Sequence, residues 1–209
     1  MEYFEIDHVS ERAISAYRPL KRAFDVAICL FFLPVAIPAF VLAALGVLLT
    51  SGGPALFVQE RIGLGGRPFR MWKLRTMRDQ PPDEQVRAVV AGDDRITPFG
   101  RILRRLRLDE LPQLWNVLKG DMSLIGPRPE ALPLHDVYLS EIPHYPYRYL
   151  VRPGITGWAQ VSAPPSATVD QAERKLTYDL YYVKRLSFAL DMQILVRTFW
   201  VIANGMGVH

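Results

Sequence analysis

Between Val26 and Leu49 the chain carries 24 residues without a charged side chain, and two prolines, Pro34 and Pro38, stand near the middle of that run. As a straight helix it spans roughly 36 Å, enough for a bilayer hydrocarbon core of about 30 Å. It is apolar on every face, which fits a soluble core helix poorly. A mid-helix proline removes a backbone donor and bends the axis. Cations flank both ends: Arg18, Lys21 and Arg22 before, Arg61, Arg67 and Arg70 after. A segment that crosses the bilayer cannot keep both basic flanks on one side. A re-entrant hairpin, entering and leaving on the same face with its break at Pro34 and Pro38, satisfies both; an ordinary kinked transmembrane helix is the alternative.

The formal net charge of +4 understates how the charge is distributed. From Arg61 to Arg107 there are twelve Lys and Arg side chains against five Asp and Glu. Such a block faces phosphates, a phospholipid surface or nucleic acid. Nucleic-acid binding would explain the charge but not the apolar run, so no nucleic-acid partner is expected. Residues 1–17 read as a loose or short helical leader, without the basic start and adjacent apolar core of a signal peptide. Cys29 is the single cysteine, so no internal disulfide forms and a reducing compartment fits.

After Ser51-Gly-Gly-Pro54, the segments 55–59 and 69–77 read as two short strands around a glycine turn at 63–66. In the second, Lys73 and Arg75 alternate with apolar residues and share one face, either solvated or turned toward phosphate. Residues 79–94 read as a mobile polar loop, with Asp93-Asp94 a solvated turn rather than a metal site. Thr97-Pro98 is a helix start, threonine as N-cap and proline in the first turn. Phe99, Ile102, Leu103 and Leu106 make an apolar stripe beside Arg101, Arg104, Arg105 and Arg107, an amphipathic pattern suited to a membrane interface.

The chemistry concentrates in Leu106-Arg-Leu-Asp-Glu-Leu-Pro-Gln-Leu-Trp-Asn-Val-Leu-Lys-Gly-Asp121. Asp109 reads as an N-cap, and Gly120 as the stop. Asp109 either caps the helix, with Glu110 complementing its dipole, or is a carboxylate nucleophile whose phosphorus target is held by helix amides and Arg104. Paired carboxylates also suit a divalent ion. Two loops follow: 121–129, where prolines flank Arg128, and 151–161, with Arg152, Trp158 and Gln160. The histidines His135 and His144 lack metal-ligand spacing and read as surface residues. Ser162 to Thr168 reads as a linker or pocket wall. Residues 171–186 and a last helix, capped by Asp191 and running to about Ala203, read as helical; the last is apolar nearly all round and suits packing under the hairpin or dipping into the interface.

Lys21-Arg-Ala-Phe-Asp25, the broken apolar run, Lys73-Leu-Arg-Thr-Met77, Leu108 to Ser123, Gly126-Pro-Arg-Pro129, Arg152-Pro-Gly-Ile-Thr-Gly-Trp158 and Tyr178-Asp179 with Tyr181-Tyr182-Val183 stand in one order. Together they resemble the bacterial sugar transferase family, the monotopic phosphoglycosyl transferases, in its minimal single-domain form, over about residues 19–200. The resemblance implies an α+β, mainly helical, compact monotopic membrane domain. It comprises the re-entrant helix-break-helix hairpin (18–50), interfacial amphipathic helices and a small β-hairpin, with 51–209 forming the catalytic part. It implies a Mg²⁺-dependent enzyme moving a sugar 1-phosphate from a UDP-sugar to undecaprenyl phosphate, with release of UMP through a covalent aspartyl-phosphosugar. That step would begin an O-antigen, capsule, exopolysaccharide or glycoprotein glycan. It would occur at the cytoplasmic face of the bacterial inner membrane, ahead of downstream glycosyltransferases and with a homodimer plausible.

Carried over residue by residue, Asp109 is the nucleophile, Glu110 its partner, both at the metal, and Arg104 contacts phosphate. Lys73, Arg75, Arg128, Arg152, Gln160, Asp179 and Tyr182 become substrate-binding positions. Two departures stand out: Ile37 rather than serine precedes Pro38, with Pro34 added, and Ser162-Ala-Pro-Pro165 replaces a common Asn-Gly-Arg. The competing reading is a non-catalytic basic scaffold at a membrane surface that recruits glycan-assembly enzymes. Nothing in the residues selects the sugar.

Overall fold

The protein is described by a computed structural model over residues 11–78, 93–163 and 168–204. Helix α1 (Glu11–Ser51) carries the apolar run. It is long and apolar enough to cross a membrane, and little of it is buried within the protein. The expected break is absent: the helix continues through Pro19, Pro34 and Pro38 as one element. A proline deletes a single backbone donor and bends the axis, while the neighbouring turns keep their bonds. The helix also takes in residues 11–17, expected to form a separate leader.

Both ends of α1 are fastened to the same body. Near its start, Arg22 donates to the carbonyls of Val117 and Leu118, and Asp25 accepts from the Leu124 amide at 3.2 Å. Lys21 and Tyr17 each reach Asp191 at 2.8 Å. Near its end, Ala43 and Val47 are buried with Leu74 and Leu103, and the Phe99 ring lies against Gly46. Between these anchors Cys29 is buried in the core, while Phe31 at 75% exposure, Val35 at 71% and Leu42 at 70% face outward.

Strands β1 (Leu56–Ile62) and β2 (Pro68–Leu74) form the expected antiparallel hairpin, Leu56 opposite Leu74 and Ile62 opposite Pro68, around a 3₁₀ turn at Leu64–Gly66. The second strand ends three residues earlier than expected, although the Arg75 amide still donates to Ala55 at 2.8 Å. Helix α2 (Pro98–Arg105) starts as its sequence dictates, with the Thr97 hydroxyl accepting from the Gly100 amide at 2.9 Å. Its apolar stripe divides: Leu103 is buried and Phe99 packs inward, whereas Ile102 and Leu106 stay more than half exposed.

A left-handed Arg107 (φ 57°) then turns the chain into a 3₁₀ turn at Leu108–Glu110, and helix α3 (Gln113–Lys119) follows. Gly120, at φ 96°, ends it in the left-handed conformation that glycine supplies at low cost. Two segments expected as loops pair instead: β3 (Ser123–Ile125) and β4 (Gly154–Thr156) form a short parallel ladder. Such a pair is invisible to local pattern because its members lie some thirty residues apart and each is three residues long.

Helix α4 (Leu132–Glu141) precedes a 3₁₀ stretch at Tyr145–Leu150, and α5 (Trp158–Ser162) follows β4. Helix α6 (Val169–Lys184) opens on a capping box between Thr168 and Gln171. Helix α7 (Phe188–Ala203) is capped by Ser187, whose hydroxyl accepts from the Leu190 amide. The expected cap, Asp191, sits one turn inside, fully buried, where it binds Lys21, Tyr17 and Tyr182. The main core joins α1, α3, β3, α6 and α7 through Cys29, Val117, Met122, Ile125, Tyr182, Val183 and Ile194.

Candidate active site

Asp109 and Glu110 lie in the 3₁₀ turn ahead of α3, so Asp109 does not cap that helix; Pro112 holds the cap position, and no side chain bonds there. The left-handed Arg107 is the reason: it redirects the chain before the helix begins, leaving both carboxylates in the connection. Both are about nine-tenths buried. Burial of two adjacent carboxylates is costly without compensation.

Compensation comes from four elements. Lys73, at the end of β2, lies 3.4 Å from Glu110 Oε1. Both terminal nitrogens of Arg128 reach the same oxygen at 3.4 Å. Arg104 of α2 and Arg107 act on Asp109 through space, and the Arg104 Nε is steadied by Thr76 Oγ1 at 2.9 Å. Burial works against the charge on Glu110, but Lys73, Arg128 and Arg107 more than offset it and hold its carboxyl at about 2. Asp109 is different. Burial, then the neighbouring Glu110, raise its pKa against the pull of Lys73, Arg104 and Arg107. Its Oδ1 is buried without a hydrogen-bond partner. A buried carboxylate oxygen left open is expensive, and such atoms occur where a ligand completes the site.

Lys73 is placed by Asn116 of α3. Its fully buried carboxamide accepts from the Trp72 amide at 3.1 Å and donates to the Arg70 carbonyl at 2.7 Å. It thus occupies the outer edge of β2 as a neighbouring strand would, and locks α3 to the strand carrying Lys73.

Arg128 is placed by a second network. Arg61 donates to the Pro129 carbonyl at 3.1 Å, and Arg148 donates to the Arg128 carbonyl at 2.8 Å. Arg148 is itself buried against Asp179, at 2.8 Å, and lies near Glu130, which Lys175 also reaches at 3.2 Å. From α6, Tyr182 donates to Asp191 at 2.7 Å and lies 3.1 Å from the Ile125 carbonyl. Beneath the loop, Gly126 and Gly154 approach so closely that a Cβ on either would collide with backbone of the other segment.

The sequence-derived candidates therefore separate. Lys73, Arg104, Asp109, Glu110 and Arg128 come together. Asp179 and Tyr182 are buried with their polar groups satisfied inside the fold, supporting the Arg128 loop from behind. Arg152 donates to the Gly120 carbonyl at 2.9 Å, at the opposite end of α3 from the carboxylates, and the charges acting on it are Arg22, Arg18 and Asp25. Gln160 donates to the Ile155 carbonyl at 2.8 Å, with its Oε1 buried and open. Arg75 lies just beyond the end of β2. His135 is held by the Tyr149 hydroxyl at 2.7 Å. Asp93 binds Arg95 rather than standing free in a solvated turn. The polar segment 79–92 and residues 164–167, including Pro164 and Pro165, fall outside the described residues. Arg61, Glu130 and Arg148 had no local signal beyond charge, and Asn116 not even that, since their roles depend on partners far along the chain.

A family model described as "Bacterial sugar transferase" matches residues 16–205. The chain belongs to the bacterial sugar transferase family. Among its relatives, the UDP-N-acetylgalactosamine-undecaprenyl-phosphate N-acetylgalactosaminephosphotransferase of Aeromonas hydrophila is 41% identical over 211 residues, covering 98% of this chain and 50% of that protein. The UDP-glucose:undecaprenyl-phosphate glucose-1-phosphate transferase of Caulobacter vibrioides is 46% identical over 180 residues, covering 85% of this chain and 67% of that protein. The exopolysaccharide production protein PSS of Rhizobium leguminosarum bv. phaseoli is 41% identical, covering 86% of this chain and 92% of that protein. The chain thus spans half of the Aeromonas relative and about two thirds of the Caulobacter one.

Proposed function

We propose that this chain transfers a sugar 1-phosphate from a UDP-sugar to undecaprenyl phosphate at the cytoplasmic face of a bacterial inner membrane, releasing UMP. The observation that carries the reading is the open, buried Oδ1 of Asp109 inside a ring of Lys73, Arg104, Arg107 and Arg128. In the first step that oxygen attacks the β-phosphorus of the donor. A bond forms between Asp109 and phosphorus, the bond from phosphorus to the bridging oxygen breaks, and UMP leaves with the electron pair. In the second, a phosphate oxygen of undecaprenyl phosphate attacks the same phosphorus and returns the Asp109 carboxylate. No net proton is consumed, so the protein's task is to neutralise charge and hold the groups in line.

The residues divide that task. Burial and Glu110 make ionised Asp109 a high-energy, reactive carboxylate, while Lys73 and the arginines keep it ionisable. Four cations around two carboxylates leave the pocket net positive toward a diphosphate. The hard-oxygen donors, one of them open, fit a Mg²⁺ ion, which takes one or two carboxylates together with substrate phosphates. Asp109 and Glu110 would hold it, and when bound it supplies charge neutralisation at the phosphate oxygens.

Placement at the bilayer completes the proposal. Helix α1 enters and leaves on one face, bent at Pro34 and Pro38. What supports this is that both of its ends bind the same body while Phe31, Val35 and Leu42 between them face outward. Ile102, Leu106 and Trp115 would sit at the interface, together with Val196, Phe199 and Trp200 of α7, all more than half exposed.

The deciding experiment incubates purified protein with Mg²⁺ and a panel of UDP-sugars, without acceptor, and measures intact mass. Wild type should gain one phosphosugar and release UMP; Asp109→Asn should do neither. Transfer by Asp109→Asn at the wild-type rate would overturn the assignment. The donor that gives the adduct identifies the sugar.

A further inference from the structure

Arg152, which the carboxylate pocket does not use, belongs to a second group of cations at the far end of α3. Three guanidinium groups meet there: Arg18 and Arg22 from α1, and Arg152 from the loop before β4. Each is held by main-chain carbonyls. Arg18 Nη2 donates to Leu150 at 2.8 Å, Arg22 to Val117 and Leu118, and Arg152 Nε to Gly120 at 2.9 Å. Arg22 and Arg152 converge on one residue: a Cβ on Gly120, whose carbonyl Arg152 binds, would lie 3.7 Å from Arg22 Nη2.

Carbonyls fix a guanidinium in place but leave most of its charge uncancelled. The end of α3 carries only about half a negative charge, which one arginine would satisfy. Among the described residues none of the three arginines forms an ion pair, and the terminal nitrogens of Arg152 make no hydrogen bond. The nearby carboxylates are already engaged: Asp25 is buried and accepts from the Leu124 amide, and Asp121 takes Lys119 and Asn116. Burial, then Arg22 and Arg18, disfavour the charge on Arg152, and Asp25 offsets them in part. The cluster is thus a fixed, under-compensated set of forked donors, the arrangement that suits a phosphate.

Its depth selects the source of that phosphate. Arg22 and Arg18 stand one and two turns before Val26, where the uncharged run begins. At 1.5 Å per residue, Arg22 lies roughly 6 Å from the run, within a headgroup layer about 5–8 Å thick. We propose that Arg18, Arg22 and Arg152 bind the phosphate of an anionic phospholipid, phosphatidylglycerol, which braces the base of α1 against α3 and the loop before β4. Helix α3 separates this site from Asp109, so the lipid bound there is structural rather than reacting. No free carboxylate is at hand to receive the ammonium of a zwitterionic headgroup. The assignment rests on placing α1 at the bilayer, not on the transfer reaction.

The test titrates the full chain in detergent with phosphatidylglycerol or phosphatidylcholine and counts bound lipid by native mass spectrometry. One phosphatidylglycerol should bind about tenfold more tightly than phosphatidylcholine. Arg18→Gln, at an exposed position, should weaken it about fivefold, and Arg18→Gln with Arg152→Gln about twenty-fivefold, the loss expected for each arginine withdrawn from an anionic lipid. Arg101→Gln, which removes an exposed charge from α2, should change nothing. Equal affinity for the two lipids, or equal weakening by Arg101→Gln, would overturn the site. Displacement of the lipid by millimolar inorganic phosphate would overturn its lipid source in favour of a soluble phosphate. If the double variant melts below wild type without lipid, Arg18→Gln decides. Flotation of wild type with phosphatidylcholine vesicles tests the membrane placement separately: failure to float removes that placement, whereas flotation without a phosphatidylglycerol preference removes this site alone.

Discussion

At the scale of single residues, the site depends on groups that touch no substrate. Asn116 is the clearest. Its carboxamide satisfies two backbone groups on the edge of β2 and thereby sets Lys73 against Glu110. Asn116→Leu keeps the branched outline but strands a buried amide and carbonyl. It should cost about 2–4 kcal/mol in denaturant unfolding and lower kcat about tenfold as Lys73 shifts. A variant with wild-type stability would show that the edge is satisfied otherwise. Glu130 gives a pH-dependent test. Burial opposes its charge, yet Lys175 and Arg148 bring its carboxyl to about 2, below its ordinary 4.5. A depressed folded pKa means the unfolded chain takes up the proton first as pH falls. The stabilisation is therefore complete above about pH 4.5 and is lost as pH drops toward 2; it is on the order of 3 kcal/mol. Unfolding of wild type and Glu130→Gln at pH 6, 4 and 3 should show a stability difference that shrinks with acid. A constant difference would refute the linkage. The adjacent pair Asp109-Glu110 was legible in the sequence because its chemistry is local. Its position outside the helix was not, because that follows from the left-handed backbone at Arg107, a residue type that rarely adopts it.

At the scale of elements, local signals worked where the local physics closes within a few residues. Thr97-Pro98 starts α2, Gly120 ends α3, and the glycine turn joins β1 to β2. They did not show β3 paired with β4, since that ladder owes its existence to two glycines meeting across the fold. Gly154→Ala tests this. Its Cβ would collide with the backbone of Gly126, so the two loops must separate, at a cost of about 2–3 kcal/mol in unfolding free energy and with a matching loss of transfer activity. Unchanged stability would mean the loops can part without consequence. The same reasoning explains the motif of Tyr178 to Val183. Read in sequence it looks like a set of substrate contacts, but in the structure Asp179 and Tyr182 face inward and brace the loop that carries Arg128.

At the scale of the whole molecule, the question is how one long apolar helix relates to a polar body. Re-entry predicts that residues on either side of the apolar run face the same compartment. Single cysteines at Ser15 and Pro54 should be modified by a membrane-impermeant reagent from the cytoplasmic side only, with the buried Cys29 giving little background. Modification of Ser15→Cys from the periplasm would replace the hairpin with a crossing helix. What the sequence alone determined are the properties set by composition and short-range pattern: the apolar run and its two basic flanks, the helix starts and stops, the cationic block, and the carboxylate pair with its neighbouring arginine motifs. The tertiary structure alone decided which cations meet that pair and which motif residues support it from behind. Those depend on contacts between segments dozens of residues apart, where burial and hydrogen-bond satisfaction, rather than propensity, choose the arrangement.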